Sequence, residues 1–280
     1  MTRPIEDHGL VGNCATAALI DRTGTLAWLC LPRFDSPAVF AALLGTQEHG
    51  SWHLAPTTGT EAGPTPADRR RYRGESLILE QEWDTPGGTV RVIDFMPTAG
   101  RRVGADPVPR VIRIIEGVSG TVRMRSTLRP RFGYGRTVPT LSRPRLPGTA
   151  EGDTVAVAGP DAVWLTGREH AASNGVLAAD FAVQAGERVA ITLTYRESHR
   201  GAPAVIDTDQ ELARTEQFWH DWADQCTYQG PYREAVVRSL ITLKGLTYAP
   251  TGGIVAAPTT SLPEDIGGER NWDYRYTWLR

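Results

Sequence analysis

The stretch Arg110–Pro130, RVIRIIEGVSGTVRMRSTLRP, decides the fold of this chain, because it holds two runs of strand-forming residues around a glycine-containing turn signal. The first run covers 110–117 and the second covers 121–130. Only residues 118–120 separate them, and this spacing predicts an antiparallel hairpin. The stretch therefore indicates a β protein whose sheets are built from consecutive short strands.

Similar pairs of apolar runs lie on both sides of this stretch. They predict three further hairpins, with turns at 21–24, 85–88 and 185–187. One short helix is predicted up to Gly45, because Asp35 or Ser36 can cap its start, Pro37 suits its first turn and glycine can end it. Many short strands punctuated by glycine and proline predict an antiparallel β-sandwich of two packed sheets over 1–202.

The pattern becomes helical after residue 202. In 203–229, four apolar residues have helical spacing, and Asp207 to Asp209 offer a cap; the apolar residues are Leu212, Phe218, Trp219 and Trp222. The stretch 231–249 repeats the helical period and ends before Pro250. We predict a mainly β chain with a sandwich over 1–202, a helical linker over 203–229 and a second, helical unit that begins in 230–280.

Composition limits the possible functions. Among 280 residues, 40% are hydrophobic and 22% charged, and the net charge is −2, which gives no general case for a nucleic-acid or membrane partner. The three cysteines are widely spaced and form no CxxC pair, which argues against a disulfide framework or a zinc site. The first residues do not resemble a signal peptide, and no run is long enough to span a membrane. These features predict a cytoplasmic globular protein.

The last residues, GGERNWDYRYTWLR (267–280), are unusually rich in aromatic and arginine side chains. Tyr274, Tyr276 and Trp278 alternate with Arg275, Thr277 and Arg280, so flat apolar faces lie beside planar donors; sugars are bound by that combination, because C–H faces stack on rings and hydroxyls accept from guanidinium groups. Ordinary core packing is the alternative interpretation.

The segment GGIVAAPTTSLPEDIGGERNWDYRYTWLR (252–280) resembles the entry to the catalytic domain of glycoside hydrolase family 15, the glucoamylases and prokaryotic trehalase-like enzymes. The start of the chain, IEDHGLVGNCATAALIDRTGTLAWLCLPRFDSPAVFAALLG (5–45), is similar to the amino-terminal sandwich of the prokaryotic members. The resemblance covers essentially the whole chain. It implies that 231–249 is the first helix of an (α/α)6 barrel and that 250–280 is the first loop over its active site.

The resemblance also implies the roles of individual residues. The family pattern D-Y-x-Y-T-W-x-R-D begins at Asp273, and its final aspartate would be residue 281. By similarity, Arg280 donates to hydroxyls of the bound glucose, Tyr274 lies close to the developing oxocarbenium ion and Trp278 lines the same pocket. These three are the predicted substrate-binding residues.

Hydrolysis with inversion needs a carboxylic acid and a carboxylate roughly 6.5–9.5 Å apart. In the family both are glutamates downstream of this motif, so we expect no catalytic residue in this chain. The nearby carboxylates are more simply explained by capping and solvation; they are Glu264, Asp265, Glu269 and Asp273.

Two weaker patterns remain. Glu216, His220 and Asp224 fall at i, i+4 and i+8 and could share a metal, but a solvated charge row is the simpler interpretation, and neither metal nor cofactor is predicted. A basic run could bind phosphate or nucleic acid, but we favour a sheet edge guarded by charge; the run is Arg123, Arg125, Arg129, Arg131, Arg136, Arg143 and Arg145.

The leading hypothesis is the amino-terminal part of an inverting α-glucoside hydrolase that acts on trehalose or on maltose- or isomaltose-type sugars and is inactive as this isolated fragment. The alternative is a stand-alone sandwich that binds carbohydrate or mediates assembly. A large exposed apolar patch on 231–249 and the tail would argue against the alternative, since monomers rarely leave such patches bare. The sequence leaves the substrate and the oligomeric state open.

Overall fold

The computed structural model describes residues 3–57, 64–98, 109–260, 262 and 268–278. In these ranges the helices are α1 (Thr208–Ala223) and α2 (Arg233–Gly245), with short 3-10 helices at Ile5–Asp7, Ala42–Leu44 and Gln47–His49. The strands are β1 (Gly9–Gly12), β2 (Ala17–Ile20), β3 (Thr25–Cys30), β4 (Ala38–Phe40), β5 (Ser51–Pro56), β6 (Arg69–Tyr72), β7 (Leu79–Thr85), β8 (Gly88–Phe95), β9 (Arg110–Arg129), β10 (Thr140–Ser142), β11 (Thr154–Ala158), β12 (Asp161–Thr166), β13 (Ala171–Ser173), β14 (Val176–Gln184), β15 (Arg188–Glu197), β16 (Thr247–Tyr248) and β17 (Gly253–Ile254).

The predicted hairpin at 110–130 is wrong, because β9 is one continuous strand of 20 residues. Its first half pairs with β8 and β15, and its second half pairs with β5 and β14. One sheet therefore runs β1-β2-β3-β5-β9-β14-β13, with β4 on β3, and the other runs β6-β7-β8-β9-β15-β12-β11-β10. Apolar side chains from both sheets share one core, which confirms the mainly β, antiparallel sandwich class.

Glycines allow β9 to pass from one sheet to the other. A β-bulge leaves Val118 without a partner on β8, where the register jumps from Ser119 to Gly117. A Cβ on Gly117 would lie 1.9 Å from the carbonyl oxygen of Gln184, and a Cβ on Gly120 would lie 2.1 Å from that of Gly87. The turns before β8 and β15 thus press against the strand here, and the same glycines that suggest a turn serve a crossing.

Of the three further hairpins that the sequence predicts, two are present and one is not. The β2–β3 and β7–β8 hairpins are confirmed, and Gly24 adopts the positive φ of 77° that its turn requires. The predicted pairing across 185–187 is wrong, because β14 pairs with the second half of β9 while β15 pairs with the first half. The tight turn carries the chain between sheets instead of reversing it within one sheet.

The short helix predicted before Gly45 is also wrong. Ala38 and Phe40 pair with β3 as strand β4, and a 3-10 turn follows at Ala42–Leu44. Val39 and Phe40 are buried in the core, and β-branched and aromatic side chains pack well on a sheet surface. Burial therefore outweighs the local helix signals, although Gly45 does end the 3-10 turn as the sequence predicts.

Helix α1 covers the outer face of the first half of β9. Asp207 caps it by accepting from the backbone N–H groups of Asp209 and Gln210, as its sequence predicts. Leu212 packs against Ile112 and Ile114, whereas Val111 and Ile115 of the same strand pack in the sandwich core. Because both faces of this half-strand are covered, apolar residues occupy both faces, at positions 111, 112, 114 and 115.

Helix α2 packs against α1 and the sandwich through only part of its surface. Val237 and Ile241 are buried with Trp219 of α1, whereas Leu243 is 49% exposed. Arg238 donates to the carbonyl oxygens of Ser76 and Gly74 and thereby ties α2 to the turn before β7. The helix is anchored on one side and open on the other.

Candidate functional site

The aromatic motif near the carboxyl-terminal end lies beside the segment that follows β17. Ala256 donates its N–H to the carbonyl oxygen of Tyr276 at 3.2 Å, and Ala257 donates to that of Tyr274 at 2.9 Å. The side chains of Tyr274 and Trp278 stack with their ring centroids 5.5 Å apart and their planes 12° from parallel. Trp278 is exposed and Tyr274 is half-buried, so the pair offers an accessible aromatic surface.

The structure brings together two of the three predicted substrate-binding residues, Tyr274 and Trp278. The third, Arg280, lies outside the described residues, as do Glu264 and Asp265 among the nearby carboxylates. Stacked rings of this kind suit the C–H face of a pyranose, since an aromatic surface loses water on contact and keeps a defined orientation. The described part of the motif therefore presents an accessible aromatic surface.

Arg275, which alternates with the aromatic residues of the motif, has its side-chain donors engaged within the protein. Its side chain points into the sandwich, where Nη1 donates to the carbonyl oxygens of Ser36 at 2.7 Å and Phe34 at 3.2 Å. Its guanidinium also makes a bidentate pair with Asp273, with distances of 2.9 and 2.7 Å, and lies 5.7 Å from the centre of the Tyr134 ring. These partners occupy the guanidinium, so ordinary packing, the alternative interpretation of the motif, applies to Arg275.

The electrostatics of this contact favour the charged pair. Burial opposes ionisation of Asp273, but its hydrogen bonds from Arg275 outweigh that effect and lower the pKa of the carboxyl. Burial raises the pKa of the Cys30 thiol to about 12, against the opposing influence of Arg275, whose Nη1 lies 3.4 Å from the sulfur. Cys30 is therefore a neutral thiol at physiological pH. The positive charge of the Arg275 guanidinium is balanced by the carboxylate of Asp273.

Further contacts fix the segment between α2 and the motif on the sandwich. Trp28 of β3 donates its indole N–H to the carbonyl oxygen of Pro258 at 2.8 Å, and Ala249 donates its N–H to that of Cys14 at 2.7 Å. Val255 is buried with Phe34 and Ala17 of the sandwich. The motif thus rests on a layer that is itself attached to β2, β3 and the loop after β3.

The helical charge row at 216–224 and the basic run at 123–145 both contain residues that form ion pairs. Glu216 lies 3.9 Å from Arg73 in an ion pair, and among the described residues no group of three or more His, Cys, Asp or Glu has the arrangement of a metal site. The sheet-edge interpretation of the basic run is wrong for Arg123 and Arg125, because the second half of β9 is paired on both sides. Arg125 and Arg143 instead pair with Asp180 and Glu169.

Neither helix in the described ranges is long and apolar enough to cross a membrane.

Comparison with known families agrees with these features. Residues 1–164 match the family described as trehalase-like, N-terminal, and residues 230–280 match glycosyl hydrolases family 15. The chain therefore belongs to the trehalase-like amino-terminal family, in agreement with the sequence resemblance.

The chain is similar to individual proteins of known kind. The chain is 35% identical over 304 residues to a trehalase from Mycolicibacterium smegmatis, covering 99% of this chain and 43% of that protein. It is 32% identical over 286 residues to a trehalase from Thermoplasma volcanium, with the same coverage. The crystal structure of a bacterial glucoamylase complexed with acarbose superposes with a TM-score of 0.59 at 11% identity, covering 93% of this chain and 43% of that one, and shows a shared fold. The chain thus spans less than half the length of these relatives.

Proposed function

We propose that this chain is the amino-terminal part of an inverting α-glucoside hydrolase of the trehalase-like or glucoamylase-like kind. The observation that carries the proposal is the accessible Tyr274–Trp278 stack, which lies in a family 15 motif and is attached to a trehalase-like sandwich. The named relatives are trehalases, and this supports trehalose as the first substrate to test. Maltose- and isomaltose-type sugars are the other candidates, because specificity beyond the first glucose depends on loops outside this chain.

We also propose the domain division that the sequence predicts. The sandwich comprises 1–202, the helical linker 203–229 contains α1, and 230–280 begins an (α/α)6 catalytic domain with α2 as its first helix. The partly exposed face of α2 supports this division, because later barrel helices would cover it. The same exposed face argues against the alternative of a stand-alone sandwich module.

The chemistry assigned to this part of the protein is sugar recognition. Tyr274 lies close to the developing oxocarbenium ion, Trp278 lines the same pocket, and Arg280 donates to hydroxyl groups of the bound glucose. The general acid and the carboxylate that activates water would come from the remainder of the catalytic domain, at the wider separation that inversion requires. The proposed reaction needs water and no cofactor.

The experiment compares the purified 280-residue chain with a native polypeptide that contains it and continues through the catalytic domain. We expect the longer protein to release glucose from at least one of trehalose, maltose and isomaltose, and the 280-residue chain to release none. Proton NMR during the first minutes should show β-glucose from the attacked ring, since inversion of an α-glucoside yields that anomer; with trehalose the leaving half appears beside it as α-glucose. Hydrolysis by the short chain, or failure of the longer protein on all three sugars, would contradict the proposal.

A further inference from the structure

Arg275 lies inside the aromatic motif and pairs there with Asp273, yet its side chain also contacts the sandwich. The residues it reaches, Phe34 and Ser36, lie in the loop between β3 and β4, and the Tyr134 ring beneath its guanidinium follows β9. Its neighbours in the motif, Tyr274 and Tyr276, are half-buried and exposed. Of the described motif side chains from 271 to 278, that of Arg275 is the one classed as buried.

The backbone on both sides of Arg275 carries the stacked rings of Tyr274 and Trp278. The carbonyl oxygens of Tyr274 and Tyr276 accept from Ala257 and Ala256, so the short pairing with the preceding segment is centred on Arg275. Asp273 accepts from the N–H of Arg275 at 3.0 Å as well as from its side chain, which fixes the turn that leads into Tyr274. A shift of Arg275 would therefore move Tyr274 relative to Trp278.

We propose that Arg275 is a positioning residue that ties the Tyr274–Trp278 stack to the sandwich and sets the orientation of the stack toward the sugar. This inference rests on the proposed function for its consequence in catalysis, but its structural part stands on the contacts alone. Through Arg275 the sandwich takes part in substrate recognition without touching the substrate.

A lysine or a methionine cannot replace this side chain. The guanidinium is a planar fork that serves the carboxylate of Asp273 on one edge and the carbonyl oxygens of Phe34 and Ser36 on the other. A lysine keeps the charge but loses the bidentate geometry, and a methionine keeps only the apolar stem. The two variants should therefore lose the positioning in graded steps.

The first test needs no enzymatic activity and uses hydrogen exchange in the 280-residue chain. We expect Arg275→Met to accelerate exchange of the Ala256 and Ala257 amides by about tenfold or more and Arg275→Lys by less, because loss of the contact opens this segment locally. Amides of β9 such as Val122 should be unchanged. The control is Arg270→Met, which removes an exposed arginine from the same segment. Unchanged exchange at Ala256 and Ala257 in Arg275→Met would overturn the proposal.

The second test measures kinetics in the longer native polypeptide. For its best α-glucoside, we expect Arg275→Met to raise KM by about tenfold with a smaller change in kcat, since the stack that binds the sugar is displaced. Arg275→Lys should recover part of the loss and Arg270→Met should match the wild type. A loss that appears only as a lowered melting temperature with unchanged KM would overturn the positioning role.

The two tests separate the two hypotheses. A wild-type protein that hydrolyses none of the three sugars would refute the proposed function, while hydrogen exchange would still decide whether Arg275 holds the motif. An active wild type whose Arg275→Met variant keeps normal KM would refute the positioning role and leave the proposed function intact.

Discussion

The centre of the sandwich and its contact with the carboxyl-terminal motif use the same arrangement of groups. In the centre, Arg113 of β9 pairs with Asp94 of β8, donates to the carbonyl oxygens of Trp52 and Gly24, and lies over the Trp52 ring. At the motif, Arg275 pairs with Asp273, donates to two carbonyl oxygens of the sandwich and lies near a tyrosine ring. Each arginine thus links an aspartate on one part of the chain to backbone carbonyl groups on another.

The difference lies in the carboxylates. Both side chains of the central pair are 0% exposed, whereas Arg275 is 5% exposed and Asp273 is 30% exposed. Burial raises the pKa of Asp94 despite the attraction of Arg113, while the pKa of Asp273 is lowered. The central pair is therefore inseparable from global folding, and the motif pair can open locally while the sandwich stays folded.

The largest expected effect comes from breaking the central pair. Arg113→Met should lower the free energy of unfolding by about 3–5 kcal/mol, because it leaves the carboxyl of Asp94 and two carbonyl oxygens buried without their donor. Urea unfolding followed by tryptophan fluorescence measures this loss. The double variant Arg113→Met with Asp94→Leu should recover a large part of it, since both charges are then removed. A single-variant loss below about 1 kcal/mol would show that the pair is not required.

The next effect is a pH dependence beside the same pair. Burial, with the nearby Arg113, lowers the pKa of His53 to about 4, and its Nδ1 lies 3.1 Å from the Thr25 hydroxyl. Between this value and about 6.5 the unfolded chain binds a proton that the folded chain does not, so stability is full above pH 6.5 and falls toward pH 4. The total loss is up to about 3 kcal/mol by proton linkage.

Urea unfolding at pH 7, 5.5 and 4.5 measures this slope, with His53→Gln as the control. The variant should have a flatter profile across this window. Some slope will remain, because burial also lowers the pKa of His170. Identical slopes in the two proteins would exclude His53 as the source.

At the motif, Asp273→Asn tests the partly exposed pair. We expect a loss of about 1 kcal/mol in local opening free energy, because a charged hydrogen bond becomes a neutral one at a site that water screens in part. Exchange of the Ala257 amide reports this opening, whereas the urea midpoint should not move. A shift of the urea midpoint without faster exchange would mean that the motif is part of the global folding unit.

The pH dependence of this pair differs in cause from that of His53: the folded chain disfavours the charged form of His53 but favours the charged form of Asp273. The pKa of Asp273 is lowered in the folded chain, so its contribution is present above the ordinary carboxyl pKa of about 4 and is lost as pH falls through the lower folded value. Acid should therefore begin to open the motif locally where the His53 effect ends. Asp273→Asn should abolish this acid-induced opening. Opening of the variant with the wild-type acid dependence would assign the effect to another group.

The sequence predicts the sandwich class but not its central connection. Local hairpins at β2–β3 and β7–β8 follow from their turn residues, since the paired strands are adjacent in sequence. The crossing of β9 does not, because Gly117 and Gly120 have the composition of a turn, and only the packing of two distant turns shows that they serve a bulge. An arginine within the apolar run 110–115 is the one local signal of the buried pair.

The candidate site likewise contains residues that the sequence identifies and one whose role it does not. Tyr274 and Trp278 are identified from the motif, and the structure places them together. The role of Arg275 is not visible in the sequence, because its partner Phe34 lies 241 residues earlier and the alternation of the motif suggests a ligand-facing donor. Local pattern gives residue type and spacing, whereas the direction of a side chain depends on which distant backbone groups need a donor.

A third arginine–aspartate pair supplies the smallest effect and completes the comparison. Arg125 and Asp180 form a bidentate pair across β9 and β14 with distances of 2.7 and 2.9 Å, but they are 56% and 59% exposed. A double-mutant cycle with Arg125→Ala and Asp180→Ala should give a coupling energy of about 0.5 kcal/mol or less, and 1 M salt should remove most of it, because water and ions screen exposed charges. Urea unfolding of the four proteins measures it. A coupling above about 1 kcal/mol would show that bidentate geometry, and not burial, ranks the three pairs.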